Sequence, residues 1–200
     1  MSEIQAVSER TTLDAFFAAH DFRARTTAFR VIAEYLLSLN RPVAIIETGT
    51  IRPPREGGAE WEDGQSTLLW DFIAESTGGQ CISMDNDPVN VAHAKERVGS
   101  NTQIAEGESI GLLSRLTGSP IDLLYLDSMD FNDDCRMESA LHHAGELAAA
   151  WDKLAPGGVV AVDDCHGPYV GKHALVKAFF EMLCGQYPFL ISYVTCWRKP

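Results

Sequence analysis

The sequence predicts an α/β fold: a doubly wound, mostly parallel sheet with helices on both faces, in a single domain. Two observations carry this. From residue 43 onwards, short apolar runs alternate with helical ones, and strands apolar on both faces belong to sheets covered on both sides. Acids also recur at the ends of these runs, at Glu47, Asp85, Asp127, Asp163 and Asp164. That rim is where such sheets bind ligands.

Helical spacing dominates the first forty residues. Leu13, Phe16, Phe17 and His20 outline a short amphipathic helix, and Phe29, Ile32, Ala33, Leu36 and Leu37 a longer one, closed by Asn40-Arg41-Pro42. Residues 1–42 are expected to form a substrate-side cap, and 43–200 the core. Val43–Glu47 reads as a strand and Ser66–Ser76 as a helix ending at Gly78-Gly79. Next come strand Gln80–Asp85, helix Pro88–Val98 with proline in its first turn, strand Thr102–Ala105 and helix Ser109–Leu116. Ile121–Asp127 is the most apolar strand, Glu138–Leu154 a long helix, and Pro156-Gly157-Gly158 a turn into strand Val159–Val162. Helix Gly171–Cys184 and strand Phe189–Trp197, rich in β-branched and aromatic residues, complete the pattern.

The 200 residues suffice for one domain with a substantial core, and 46% hydrophobic with 22% charged residues is a globular composition. A formal net charge of −12 argues against a nucleic-acid surface, which needs clustered Lys and Arg; a small-molecule partner is expected. The five cysteines are widely spaced with no C-x-x-C pair, so a reducing cytoplasm is the simplest setting. No apolar run is long enough to span a membrane, and the N-terminal stretch lacks the apolar core of a signal peptide.

Three constellations carry chemistry. Glu47-Thr48-Gly49-Thr50, taken up again at Gly64-Gln65-Ser66-Thr67, is a glycine turn after the first strand. It lacks the G-x-G-x-x-G fingerprint, and its carboxylate suits a ligand with a positive group; the alternative is a plain turn with Ser66 as N-cap. Asp85, at the tip of the second strand, can accept from both hydroxyls of a ribose, while Asp87 before Pro88 caps the next helix. Gly107-Glu108-Ser109 follows the third strand, where an adenine edge or a helix N-cap at Ser109 fits equally. Asp127, Asp163 and Asp164 end two central strands about 5 Å apart. Three such carboxylates repel one another unless a cation intervenes, and a hard divalent ion, magnesium by default, meets that need. Helix capping, or pairing with Lys172 or Arg136, is the alternative.

The motifs "IIETGT…GQST", "ISMDND", "AEGES", "IDLLYLDS" and "LAPGGVVAVDD" together resemble the class I S-adenosylmethionine-dependent methyltransferase fold across about residues 40–185. Within it they look most like metal-dependent O-methyltransferases of the catechol and macrocin types. The resemblance implies that Glu47 and Gly49 line the methionine part of the cofactor, Asp85 the ribose, and Glu108 and Ser109 the adenine. Asp127, Asp163 and Asp164 would hold magnesium, with Ser66 and Asp127 also beside the cofactor. The catechol type has a lysine three residues after the aspartate corresponding to Asp127, where this chain has Asp130; it has Asn where Asp164 stands. His166 is the preferred general base, with Asp130 second; His142 and His143 read as structural.

The stretch 51–63 splits the glycine turn. Pro53-Pro54 stiffens it and Gly57-Gly58 loosens it, a composition suited to a lid, with Arg52 or Arg55 and Trp61 facing substrate; a passive insertion is the alternative. The resembled fold usually ends in two antiparallel strands, whereas only one good strand follows the last helix here; either the edge is shortened or a second copy completes it as a homodimer. The expected activity is methyl transfer from S-adenosylmethionine to a hydroxyl of a sugar or other natural product. A metal-dependent hydroxylase or hydrolase on the same scaffold, or a nucleoside-binding protein without catalysis, are the rival readings.

Overall fold

The computed structural model describes residues 12–54, 65–118 and 120–200. Strands β1 (Ala44–Thr48), β2 (Gln80–Asp85), β3 (Thr102–Glu106), β4 (Ile121–Leu126) and β5 (Leu154–Val162) run parallel in the order β3-β2-β1-β4-β5. A two-stranded hairpin, β6 (Cys165–Gly167) with β7 (Val170–Gly171), leaves the end of β5, and β8 (Thr195–Arg198) pairs antiparallel with β5 at the sheet edge. The order reverses between β1 and β4, which opens a crevice beyond their carboxyl ends.

Side chains of each strand alternate between two cores, as a pleated sheet requires. Ile45, Leu123, Tyr125, Val159 and Ala161 point to one face, where Phe29 of α2 (Thr26–Ser38) and Trp70 of α3 (Ser66–Thr77) meet them. Leu13 and Phe17 of α1, helical at residues 12–19, join the same cluster. Ile46, Leu124, Leu126, Val160 and Val162 point to the other face, against Leu147 of α6 (Arg136–Ala150) and Phe180 of α7 (Ala174–Leu183). Helices α4 (Pro88–Lys95) and α5 (Ser109–Arg115) follow β2 and β3. At the amino end of β4, buried Asp122 takes two bonds from Arg41, at 2.6 and 3.0 Å, and one from the Ala44 amide at 2.9 Å.

The mostly parallel doubly wound sheet thus agrees with the sequence, and two local expectations are corrected. Pro156-Gly157-Gly158 lies inside β5, not in a turn before it. Gly157 takes φ +76, a left-handed value that suits glycine, and the pairing with β4 slips there. The final strand is Thr195–Arg198 only, because residues 189 and 190 fold back and bond to Cys196, at 3.0 Å in each direction. The β6–β7 hairpin had no sequence counterpart. It matters most for the site.

Phe180 is fully buried and stacks on Trp197 at 5.4 Å between ring centroids. Phe180→Ala should therefore cost about 3–5 kcal/mol, measured by urea unfolding; a loss below 1 kcal/mol would contradict this core assignment.

Candidate active site

A cavity of about 340 Å³ opens at the carboxyl rim, lined from every central strand end. Gly49 and Thr50 come from β1, Asp85 to Asp87 and Asn90 from the β2–α4 turn, and Asp127 to Asp130 from the β4 end. Asp164 follows β5, and Arg25, just ahead of α2, and Arg52 complete the wall.

Gly49 has to be glycine. Its φ is +83, and a Cβ would lie 2.4 Å from the Asp127 carbonyl oxygen. The β1 and β4 turns can approach only because no side chain intervenes. Asp85 is held in place by three donors: the Thr50 amide at 3.2 Å, the Asp87 amide at 2.8 Å and the Asn90 side-chain amide at 3.3 Å. An ionised carboxylate has about four acceptor positions, so this one is oriented and keeps capacity towards the cavity. Asp87 caps α4 by accepting from the Val89 amide at 2.8 Å, as expected.

Glu47 does not line the cavity. It is fully buried below the β1 turn, with Oε2 accepting from the Thr67 hydroxyl at 2.6 Å and the Ser83 hydroxyl at 2.5 Å. Its Oε1 has no partner. Burial raises its pKa to about 7, against the pull of the Ser83, Thr67 and Ser66 hydroxyls. Ser66 is the buried first residue of α3 and not its N-cap; Gln65 holds that position without a side-chain bond. Glu108 is the N-cap of α5, accepting from the Ile110 and Gly111 amides at 3.3 and 2.9 Å. Ser109 is buried with its hydroxyl 3.1 Å from His142 Nε2.

His142 and His143 form, with Glu146, a polar cluster below the β4 turn. Glu146 is fully buried and accepts from the Ser128 hydroxyl at 2.7 Å. The structural reading of the two histidines thus gains a specific content: they pack around the acid that holds the turn carrying Asp127.

The three aspartates meet as expected, and two cations come with them: buried Lys172, the alternative partner the sequence offered, and part-exposed Arg25. Asp163 is completely inaccessible. Its Oδ2 takes the Tyr125 hydroxyl at 2.8 Å and Arg25 Nε at 2.5 Å, and its Oδ1 takes the Asp164 amide at 2.8 Å. Lys172, 1% exposed, sits between the other two, bonded to Asp127 Oδ1 and 3.0 Å from Asp164 Oδ2. The Tyr193 hydroxyl donates to Asp164, and Arg25 lies 4.8 Å above the Tyr193 ring. Burial would lower the pKa of Lys172, but Asp127, Asp164 and Asp163 outweigh it and hold the ammonium charged. Burial pushes the Asp127 carboxyl well up; Lys172 pulls it back, and Asp163 and Asp164 push it further.

This arrangement does not fit magnesium. Such an ion takes oxygen ligands at about 2.0–2.1 Å in a near-octahedral shell. Here the Asp163 oxygens are engaged elsewhere, and an ammonium occupies the space between Asp127 and Asp164. Among the described residues, no group of three acid, histidine or cysteine side chains is arranged to hold a metal.

Of the two candidate bases, Asp130 lines the cavity, with Arg52 Nη1 at 3.7 Å. His166, exposed on the β6–β7 hairpin, faces Phe131 and Tyr193 with ring centroids 5.8 and 5.4 Å away, outside the cavity wall. Arg25 was missed in the sequence. An arginine ahead of an amphipathic helix, with Arg23 and Arg30 close by in sequence, gives no signal of reaching a site 138 residues further on. Arg55, Gly57, Gly58 and Trp61, and with them the lid expectation, fall outside the described residues.

A family model described as a methyltransferase domain matches residues 61–165. Comparison with curated proteins returns no significant sequence match. Among solved structures, the O-methyltransferase NovP aligns over 88% of this chain and 79% of its own, with TM-score 0.63 and 15% identity. CalS11, a TDP-rhamnose 3'-O-methyltransferase of calicheamicin biosynthesis, aligns over 88% and 80%, with TM-score 0.56 and 16% identity. MycE, from the mycinamycin biosynthetic pathway and solved with Mg and SAH, aligns over 87% of this chain but 48% of its own, with TM-score 0.59 and 16% identity. At these identities the likeness establishes a shared fold.

Glu47 generates a prediction on pH. Its folded pKa of about 7 lies above the ordinary 4.5, so between these values the native state keeps a proton that the unfolded chain has released. This stabilisation is complete below the window and is lost as pH rises through it. Glu47→Gln should remove a decline on the order of 3 kcal/mol across that range, read by urea unfolding at successive pH values; an unaltered profile would show that Glu47 does not titrate there.

Proposed function

The chain belongs to the methyltransferase-domain family, and from that premise we propose that it transfers a methyl group from S-adenosylmethionine to an oxygen of a small hydroxylated molecule, a sugar or related natural product. The observation that carries this is Asp85, held by three donors at the wall of a cavity shared with Gly49 and the Asp127 turn. An oriented carboxylate at the second strand tip is what two vicinal ribose hydroxyls need as acceptor.

The cavity suits a sulfonium nucleoside in other respects. The backbone of Gly49 and Thr50 forms part of its wall. The unpartnered Glu47 Oε1 lies below the same turn, a buried acceptor with capacity for an amino group if the turn adjusts. Glu108 and Ser109, occupied with α5 and His142, would contribute to the adenine end mainly through their backbone.

When bound, S-adenosylmethionine supplies a methyl group already activated on sulfur. The task of the residues is then to position an acceptor hydroxyl and to take its proton. Asp130, on the cavity wall with Arg52 Nη1 at 3.7 Å, is the carboxylate we assign to the proton. His166 stands outside the cavity wall, against Phe131 and Tyr193. The oxygen specificity and the sugar-like acceptor agree with the names of the structural neighbours NovP and CalS11.

Asp85→Ala should weaken S-adenosylhomocysteine binding at least about 100-fold in calorimetric titration, with an unchanged circular dichroism spectrum. Asp130→Asn should leave that binding alone and cut methyl transfer to nucleotide-sugar or polyol acceptors about 100-fold or more. Parental binding by Asp85→Ala would refute the cofactor placement.

A further inference from the structure

We propose that Lys172 is a built-in cation that takes the position between Asp127 and Asp164 where a divalent ion would otherwise sit, so that the site neither holds nor requires such a metal. The inference rests on the methyltransferase reading only for its consequence on turnover. The ion-binding part stands on the geometry alone.

An ammonium has three donors, and three oxygens surround this one: Asp127 Oδ1, Asp164 Oδ2 at 3.0 Å and the Asp127 carbonyl at 3.5 Å. Among the described residues the side chain is one of the largest that are fully buried. A charge so placed is tolerated only when paired and hydrogen-bonded, and the two carboxylates supply both. The third acid is turned away, with both oxygens of Asp163 committed to Tyr125, Arg25 and the Asp164 amide.

The backbone is shaped to deliver this lysine. After β5 the chain takes the left-handed region at Asp164, with φ +50, and makes the β6–β7 hairpin. It returns at Gly171, whose φ is +131 and where a Cβ would lie 2.4 Å from the Asp164 carbonyl oxygen. Residue 172 is thereby brought directly against the acids. A hydrated magnesium ion at the same point would have to share both carboxylates with an adjacent positive charge.

The test uses the full chain stripped with EDTA and titrated with Mn²⁺, with free Mn²⁺ followed by electron paramagnetic resonance. The wild type should leave the signal of free Mn²⁺ unchanged, and its melting temperature should not move with millimolar magnesium. Lys172→Ser should gain Mn²⁺ affinity about tenfold or more, and Lys172→Ser/Asp164→Asn should lose that gain. Stoichiometric Mn²⁺ binding by the wild type, abolished by Asp164→Asn, would overturn the proposal. So would a folded Lys172→Ser that binds no more Mn²⁺ than its parent. If Lys172→Ser fails to fold, the wild-type titration decides in either direction. S-adenosylhomocysteine titration of the wild type in EDTA reports separately: absence of binding would count against the methyltransferase reading and leave the Mn²⁺ result intact.

Discussion

Three carboxylates at one sheet rim must be neutralised, and much of the molecule is arranged around that requirement. Parallel pairing of β4 and β5 brings Asp127, Asp163 and Asp164 to one rim, with Asp163 fully buried and the other two on the cavity wall. Repulsion between unscreened acids in such surroundings would oppose folding. The protein supplies two cations from opposite ends of the chain, Arg25 ahead of α2 and Lys172 behind the β6–β7 hairpin. It adds two phenols, Tyr125 and Tyr193, as donors.

These contacts tie the amino-terminal segment to the active rim. Residues 12–39 pack on the sheet through an apolar core, but at Arg25 the same segment bonds Asp163 and lies over Tyr193. The wall of the cavity therefore depends on a residue outside the strand-and-helix pattern that identifies the family. At the opposite rim, Asp122 joins Arg41 to the start of β1 and so anchors the end of the same segment. Beneath the cavity, Glu47 and Glu146 act as buried acceptors that collect hydroxyls from neighbouring elements. Glu47 ties Thr67 of α3 to Ser83 of β2, and Glu146 holds the turn after Asp127 through Ser128.

Elements with a strong period were legible. β2 is legible in the sequence to the residue, and β1, β4, α3 and α5 to within one, because each combines continuous or periodic apolar content with a clear stop. Short-range polarity deceived the reading in two places. Pro156-Gly157-Gly158 has the composition of a turn, yet it is a bulge inside β5, with the Tyr35 hydroxyl donating to the Gly157 carbonyl at 2.9 Å. The β6–β7 hairpin is too short and too mixed in composition to have a period at all.

The sequence by itself determined the sheet, its winding and the rim at which acids collect, since these follow from apolar periodicity and from strand ends. It also singled out Asp85 and Gly49, because a strand tip and a glycine turn are local features. Only the tertiary structure decided which cation the aspartates hold. The partners Arg25 and Lys172 lie far apart in the chain, and their meeting depends on a hairpin and a helix start that carry no periodic signal. Charge pairing in a buried site is a property of distances through space, and a linear pattern does not contain them.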